Sequence, residues 1–342
     1  MHLPSELLAY GDAPSSHIQF HVVLQYVQTD SLALVAAALE VLAIALYMYA
    51  TRRLARRERH WSRWSTASFV AGVFSVWLAA GSGVAAYDEK NVVMHVVQHV
   101  LLMMVAAPLI VLGKPLTLAM QAAHRPNQVR IVKVLQSRPF AALTFPVLTW
   151  FLYFGSMYAY FQDRALYQYS AQHIAFHDAS HIVFLTIGLL YWQPIIGSDP
   201  TRWKIPPGGR ILITFLGMPF EAFLGISIYM STQPIDPINS LGDTKAAGQA
   251  FWILSMAATA VCIGVIAVQW YKQLERQTQR EDRQARIEAD RSTEEAARLG
   301  VTPEREGWTV PAWRLAQIQA DRARAERHSR TKPPVRTEPP FR

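Results

Sequence analysis

The sequence contains very little cysteine and few charged residues. Of its 342 residues, 51% are hydrophobic, 17% are charged and a single one is cysteine, Cys262. One thiol excludes an internal disulfide, a Cys-x-x-Cys metal-chaperone motif and a cysteine-based zinc site. The sequence also lacks a phosphate-binding loop, a nucleophile elbow and a metalloprotease motif. The sequence therefore has no motif of these site classes.

The apolar residues are concentrated in long runs. Residues 1–31 are mixed in composition, residues 32–271 carry the runs, and residues 272–342 are mostly polar and charged. A bilayer core about 30 Å thick requires about 20 consecutive apolar residues, and in hydrocarbon a helix pairs all of its own backbone groups. We therefore predict an all-α integral membrane protein with a bundle of seven transmembrane helices. The predicted helices cover residues 32–50, 67–87, 92–112, 140–161, 171–195, 210–230 and 249–271.

The basic residues predict how this bundle is oriented. Six basic residues follow the first apolar run, five follow the third and three follow the fifth, whereas the other loops hold only Lys90, Arg164 and Lys245. Basic loops are retained in the cytoplasm. We therefore expect a multi-pass protein of the cell (inner, cytoplasmic) membrane with its N-terminus outside and its C-terminus inside. Because the basic loops lie against the lipid bilayer, they do not indicate nucleic-acid binding.

The two ends of the chain are predicted to form separate segments. Residues 1–31 form an extracytoplasmic N-terminal segment without the features of a cleavable signal peptide. Residues 272–342 form a cytoplasmic tail in which opposite charges alternate at helical spacing. We expect this tail to be partly helical and then disordered.

Five histidines lie in two of the predicted transmembrane helices. His95 and His99 are four residues apart in the third, and His173, His177 and His181 have the same spacing in the fifth. Residues four apart share one helix face, and polar groups inside a membrane are costly enough to indicate function. Paired imidazoles at this spacing are common transition-metal ligands. The pattern predicts two rows of metal ligands in the outer half of the membrane.

Carboxylate and thioether side chains accompany the histidines. Glu221, in the sixth run, is expected at a similar depth, where it could bind a metal or orient an imidazole. Asp178, next to His177, could have the same role. Thioethers suit Cu(I), so possible accessory ligands are Met94, Met103 and Met218.

Three stretches together resemble a known family. They are His95-x3-His99 followed by LLMMVAAPLIVLGKP, His177-x3-His181 followed by IVFLTIGLLYWQPIIG, and Arg210 with the subsequent GMPFEAFLGISIYM. Over residues 30–271 the sequence resembles the bacterial CtaG-type assembly factors of cytochrome c oxidase, named for their role with the caa3-type enzyme. At Glu221, however, many members are expected to have a histidine.

The resemblance implies seven membrane spans and a role in maturing a haem–copper oxidase, as an assembly factor and not as an enzyme. It further suggests that the protein delivers copper to the catalytic subunit of the oxidase. Other partners would be a second copper chaperone or another copy of this chain. Binding by neutral imidazoles would weaken below about pH 6.5, where protons compete for the ring nitrogens.

Two other functions are compatible with intramembrane histidines. His99 and His177 could hold a haem b in an electron carrier, and this haem would be non-covalent because no Cys-x-x-Cys-His motif exists. A His/Glu cluster could also serve a proton or ion relay, although the sequence has no obvious inverted repeat. A retinal protein of the usual form is excluded, since residues 249–271 contain no lysine.

Overall fold

A computed structural model describes residues 26–29, 31–88, 90–298 and 312–331 of the chain. The described chain is helical and divides into two units, Met1–Val268 and Gln269–Arg342. In chain order the helices are α1 (Ser31–Ala55), α2 (Arg63–Ala80), α3 (Gly83–Asp88), α4 (Val92–Val100), a π-helical segment (Leu101–Ala106), α5 (Ala107–Leu112), α6 (Pro115–Ala122), α7 (Arg125–Leu135), α8 (Arg138–Leu143), α9 (Pro146–Gln162), α10 (Arg164–Gln172), α11 (Ile174–Ile195), α12 (Pro207–Tyr229), α13 (Leu241–Arg298) and α14 (Ala312–Thr331).

Helix α4 begins at a side-chain cap and continues through a change of helical pitch. The Asn91 carboxamide oxygen accepts hydrogen bonds from the backbone N–H groups of Val93 (2.9 Å) and Met94 (3.3 Å), which would otherwise have no partner in the first turn. The π-helical segment begins at Leu101, two residues after His99. Such segments are rare in proteins, but those that do form are frequently found at functional sites.

Helix α11 packs closely against the π-helical segment and α5 because a glycine lies at the contact. A Cβ atom at Gly188 would lie 2.9 Å from Ala107 Cβ and 3.2 Å from Met103 Cα. One turn further, the Trp192 indole N–H donates a 2.9 Å hydrogen bond to the Met103 carbonyl. This contact fixes α11 against the helix that carries His95 and His99.

Helices α1 and α2 are joined to the end of the same helix. The Tyr47 ring stacks on Phe69 at 4.1 Å between centroids, and its hydroxyl donates a 2.6 Å hydrogen bond to the Gly113 carbonyl. The Ser68 hydroxyl donates a 2.7 Å bond to the Leu109 carbonyl. These buried polar groups are therefore satisfied between helices.

Within the described part of the chain, five helical stretches are long and apolar enough to cross a membrane, which indicates a membrane protein. They are Ala33–Ala55, Val92–Ala122, Ile174–Ile195, Pro207–Tyr229 and Leu241–Glu294. The other two predicted spans are interrupted in the structure. Residues 67–87 are divided at Gly81 between α2 and α3, and residues 140–161 are divided before Pro146 between α8 and α9. Pro146 begins α9 because proline fits a first helical turn but not a helix interior.

The second unit contains the C-terminal part of α13 and helix α14. Residues 269–298 continue α13, with most of their side chains exposed. Most of the predicted N-terminal segment 1–31 lies outside the described residues. Residues 332–342, at the end of the tail that was predicted to become disordered, also lie outside them.

Candidate metal centre

His95 and His99 lie on consecutive turns of α4 and are fully enclosed. Both side chains are buried, and their Nε2 atoms are 3.0 Å apart. Two nitrogens bound to one tetrahedral metal at about 2.0–2.1 Å would be separated by about 3.3 Å. The observed spacing is therefore close to the one that joint ligation requires.

His177 and His181 on α11 face this pair. The ring centroids of His95 and His177 are 5.1 Å apart, and those of His99 and His181 are 5.8 Å apart. Within α11 the two imidazole centroids are 4.5 Å apart. Four imidazoles from two helices thus form one buried cluster, which we call the histidine cluster (His95, His99, His177 and His181).

Two carboxylates adjoin the histidine cluster on either side of His177. The Nε2 atom of His177 lies 3.6 Å from Asp88 Oδ2, and its Nδ1 atom lies 3.9 Å from Asp178 Oδ1. Asp88 is buried at the end of α3, whereas the Asp178 side chain is 34% exposed. The ligand atoms of Asp88, His95 and His177 all lie within 4.8 Å of one another, and the same holds for His177, Asp178 and His181. Each group is compact enough to hold one metal ion.

Aromatic rings enclose the cluster on the side of α9 and α10. Tyr160 lies against His95 and His99 at centroid distances of 5.6 and 5.0 Å, and its hydroxyl is hydrogen bonded to Ser170 Oγ at 2.6 Å. Phe184 packs edge-on against His99 at 4.5 Å. These rings limit the directions in which the imidazoles of His95 and His99 can turn.

Two imidazole nitrogens in the cluster have no hydrogen-bond partner among the residues that the structure describes. They are Nδ1 of His99 and Nε2 of His181, and both are buried. A buried polar atom without a partner costs about 1–3 kcal/mol, and a metal bound at Nε2 of His181 would remove this cost at that atom. Imidazole nitrogens suit copper and zinc, so the donor set fits a copper ion. Asp88 adds a harder oxygen donor.

The region that contains this cluster matches a known protein family. Residues 45–273 match the sequence profile of the cytochrome c oxidase caa3 assembly factors, the CtaG family. The chain belongs to this family. The match covers α4, α11 and both carboxylates. CtaG proteins are assembly factors rather than catalytic enzymes, and the family implies association with cytochrome oxidase.

The chain is also similar to proteins of unassigned function. Uncharacterized proteins of Mycobacterium bovis and Mycobacterium tuberculosis are each 30% identical to it over 270 residues, which are 74% of this chain and 40% of theirs. One of Mycobacterium leprae is 28% identical over 291 residues, 80% of this chain and 43% of its own. The chain therefore spans less than half the length of these relatives. No solved structure matches it with significance.

His173 lies apart from the histidine cluster. It is exposed at the N-terminal boundary of α11, where its Nδ1 is 2.9 Å from the Tyr169 carbonyl and its ring stacks on Tyr169 at 4.0 Å. The predicted helix began at residue 171, but the observed one begins at Ile174. His173 is therefore not in the regular helix that aligns His177 with His181.

Glu221 is buried elsewhere in the bundle. Its two carboxylate oxygens accept hydrogen bonds from Thr259 Oγ1 at 2.8 and 3.1 Å. It belongs to neither of the compact groups of possible ligands among the described residues. The structure thus gives this carboxylate a partner on α13.

The predicted methionines have different surroundings. Met103 is fully buried in the hydrophobic core, and Met94 is buried near the start of α4. Met218 is partly buried on α12. Their role as accessory ligands remains a prediction.

Sequence reasoning did not identify Asp88. The residue follows the predicted second span and precedes Lys90. In the structure the helix is interrupted at Gly81 and Ser82, and the short α3 that follows places Asp88 beside His177. A carboxylate within one turn of an apolar run is the signal that could have indicated it.

Proposed function

We propose that this protein binds a copper ion in the histidine cluster and holds it for insertion into a haem–copper oxidase. The observation that carries this proposal is the convergence of four buried imidazoles from α4 and α11, with Asp88 beside them. The family match supports the oxidase as the partner, and the imidazole donors support copper as the metal. Copper is here the cargo of the protein.

We further propose that the chain crosses the membrane seven times. The order of contacts between α4 and α11 supports this topology. Along the two helices His95 faces His177, His99 faces His181, and Met103 contacts Gly188. The residue numbers of the contacting pairs increase together along the two helices, so the helices run in the same direction. Two spans with the same direction require a return crossing between them, and α9 is the long helix that lies there in sequence.

Helices α9 and α2 have the contact order expected of return crossings. Tyr160 of α9 contacts Phe184 of α11, and Tyr153 of α9 contacts Tyr191 of α11. The residue numbers of the two helices therefore increase in opposite directions. In α2 the Ser68 hydroxyl bonds to the Leu109 carbonyl, while the Ala79 carbonyl accepts from the Gln98 side chain at 3.0 Å. Both helices therefore run antiparallel to their neighbours over most of the same depth.

The distribution of charge supports an extracytoplasmic opening for the site. The histidines lie near the N-terminal ends of the stretches Val92–Ala122 and Ile174–Ile195, whereas basic residues follow the C-terminal ends of these stretches, at 125–138 and 202–210. Basic segments remain on the cytoplasmic side. The cluster then lies in the outer half of the cell membrane, with the N-terminus outside and the C-terminus in the cytoplasm.

The ligand chemistry suits a site that both binds and releases copper. Neutral imidazoles bind copper through one nitrogen each, and ligands from two separate helices can be rearranged by a small shift of one helix. Asp88 would orient His177 through Nε2 or occupy one metal position itself. The partner that accepts the ion is the oxidase catalytic subunit. A copper chaperone or a second copy of this chain would supply it.

A haem between the two rows is less well supported. The imidazole centroids of facing residues are only 5.1 and 5.8 Å apart, and Tyr160 and Phe184 pack directly on His99. Ring-to-ring contacts therefore occupy the space in which a macrocycle would have to lie.

Complementation tests the proposed function. In a host strain that lacks its own copy of the factor, the wild-type gene should restore oxidase activity and the copper content of the purified oxidase. His177→Asn should restore neither, whereas His173→Ala should behave as wild type because His173 lies outside the cluster. Full restoration by His177→Asn, with the variant present at normal levels, would refute the proposal.

A further inference from the structure

A cavity opens beside the histidine cluster. It has a volume of about 490 Å³ and lies between α1, α2, α3, α4 and α11. Most of its lining is apolar, but His177, His181, Asp88 and Asp178 also face it. Gln28, which precedes α1, and Ala33, in the first turn of α1, line it as well. The cavity therefore extends from the N-terminal end of α1 to the histidine cluster.

Glu40 lies on the opposite wall of this cavity. It is partly buried in the middle of α1, in an otherwise uncharged stretch that extends to Arg52. A carboxylate at membrane depth is costly and requires a function or a partner. Glu40 is far in sequence from the histidines, yet it lines the same space as His177 and His181.

Two groups of possible ligands share the His177 imidazole. The buried group is Asp88, His95 and His177, and the half-exposed group is His177, Asp178 and His181. His177 turns Nε2 toward Asp88 in the buried group and Nδ1 toward Asp178 in the half-exposed group. The half-exposed group also contains His181, which is 8% exposed, lines the cavity and has a buried Nε2 without a partner among the described residues. A cation could therefore be held first at the cavity wall and then inside the cluster.

We propose that this cavity is the entrance through which the cation reaches the histidine cluster. Glu40 and Asp178 attract a transition-metal cation into the cavity, and Asp178, His177 and His181 form a first binding site. The ion then passes to the buried group of Asp88, His95 and His177. Clefts lined by one sign of charge concentrate counter-ions and raise association rates. This inference rests on the proposed copper binding and concerns its route.

Uptake kinetics test the entrance separately from the binding site. The full-length protein in lipid nanodiscs is mixed with Cu(I) that is held by an excess of a weak chelator. The uptake of copper by the protein is followed by stopped flow. Glu40→Gln should slow uptake by at least about tenfold because it removes a charge from the cavity. Ala33→Trp should also slow uptake, because it adds bulk at the N-terminal end of the cavity. The final copper content should be unchanged in both variants. Asp178→Asn should also slow uptake. Leu212→Trp is the matched control for added bulk, since Leu212 is exposed on α12 and does not line the cavity.

The outcomes distinguish the two proposals. An unchanged uptake rate in either Glu40→Gln or Ala33→Trp would overturn the entrance while leaving copper binding intact. Loss of bound copper at equilibrium in correctly folded Glu40→Gln would also overturn it, because Glu40 would then belong to the final site. Absence of copper from the wild-type protein after full exposure would refute the proposed function and, with it, this inference.

Discussion

The imidazole rings of His95 and His177 lie 5.1 Å apart, although they belong to different helices of the bundle. Each also lies next to a second histidine on its own helix. The contact joins two i, i+4 pairs into a single buried group. Because burying four imidazoles together requires compensation, this group is the most unusual feature of the bundle.

Asp88→Asn should weaken copper binding without abolishing it. The substitution removes the negative charge beside His177 Nε2 but retains the size of the side chain. Loss of a residue that supports a metal ligand typically lowers affinity by about 10- to 100-fold. Competition with a Cu(I) chelator measures the change. Asp163→Asn is the control, since Asp163 is an exposed cap of α10. Equal affinities for wild type and Asp88→Asn would exclude Asp88 from the site.

Glu221→Gln should leave the copper content unchanged. Glutamine can still form a hydrogen bond with Thr259, and the residue lies outside the compact ligand groups. Metal analysis of the purified variant checks this result. A variant that folds normally but loses its copper would make Glu221 a ligand, as the sequence pattern suggested.

Gly188→Ala should destabilise the bundle and loosen the cluster. The new Cβ would collide with Ala107 and the Met103 backbone, and overpacking of this kind costs about 1–3 kcal/mol. Thermal unfolding in detergent should show a lower midpoint. Gly155→Ala provides the control, because no atom lies within 4 Å of the added Cβ. Identical midpoints for both variants would contradict the close approach of α11.

A cysteine at position 127 should be inaccessible from outside the cell. With seven crossings and the N-terminus outside, the exposed Asn127 on α7 lies in the cytoplasm, whereas Thr232, after α12, lies outside. If only the five long apolar stretches crossed, α7 would be outside. In a Cys262→Ser background, a membrane-impermeant thiol reagent should label Thr232→Cys but not Asn127→Cys in intact cells. Labelling at 127 would contradict the seven-span topology.

The sequence predicted the parts of the site that depend on helical periodicity. Spacing alone indicated that His95 and His99 share a face, as do His177 and His181, because a helix returns to the same side every four residues. Spacing contains no information on which helix lies opposite. That facing depends on long-range packing, such as the fit of Gly188 against Ala107.

The sequence prediction and the structure differ where the local backbone determines the position of a side chain. His173 was counted in the row because the apolar run appeared to begin at residue 171, but the helix begins at Ile174. Glu221 was assigned to the cluster from depth alone, and depth does not specify the direction of a side chain. Asp88 reaches the cluster only because the chain turns at Gly81 and Ser82, a feature that hydropathy does not reveal.

The most direct test is the metal content and optical spectrum of the purified full-length protein, compared with the His99→Ala/His177→Ala double variant. We expect about one copper per chain in the wild type, no Soret band, and loss of the copper in a double variant that still elutes as a folded protein. X-ray absorption should then report nitrogen ligands at about 2.0 Å. A Soret band, or copper retained in the double variant, would refute copper binding by the histidine cluster.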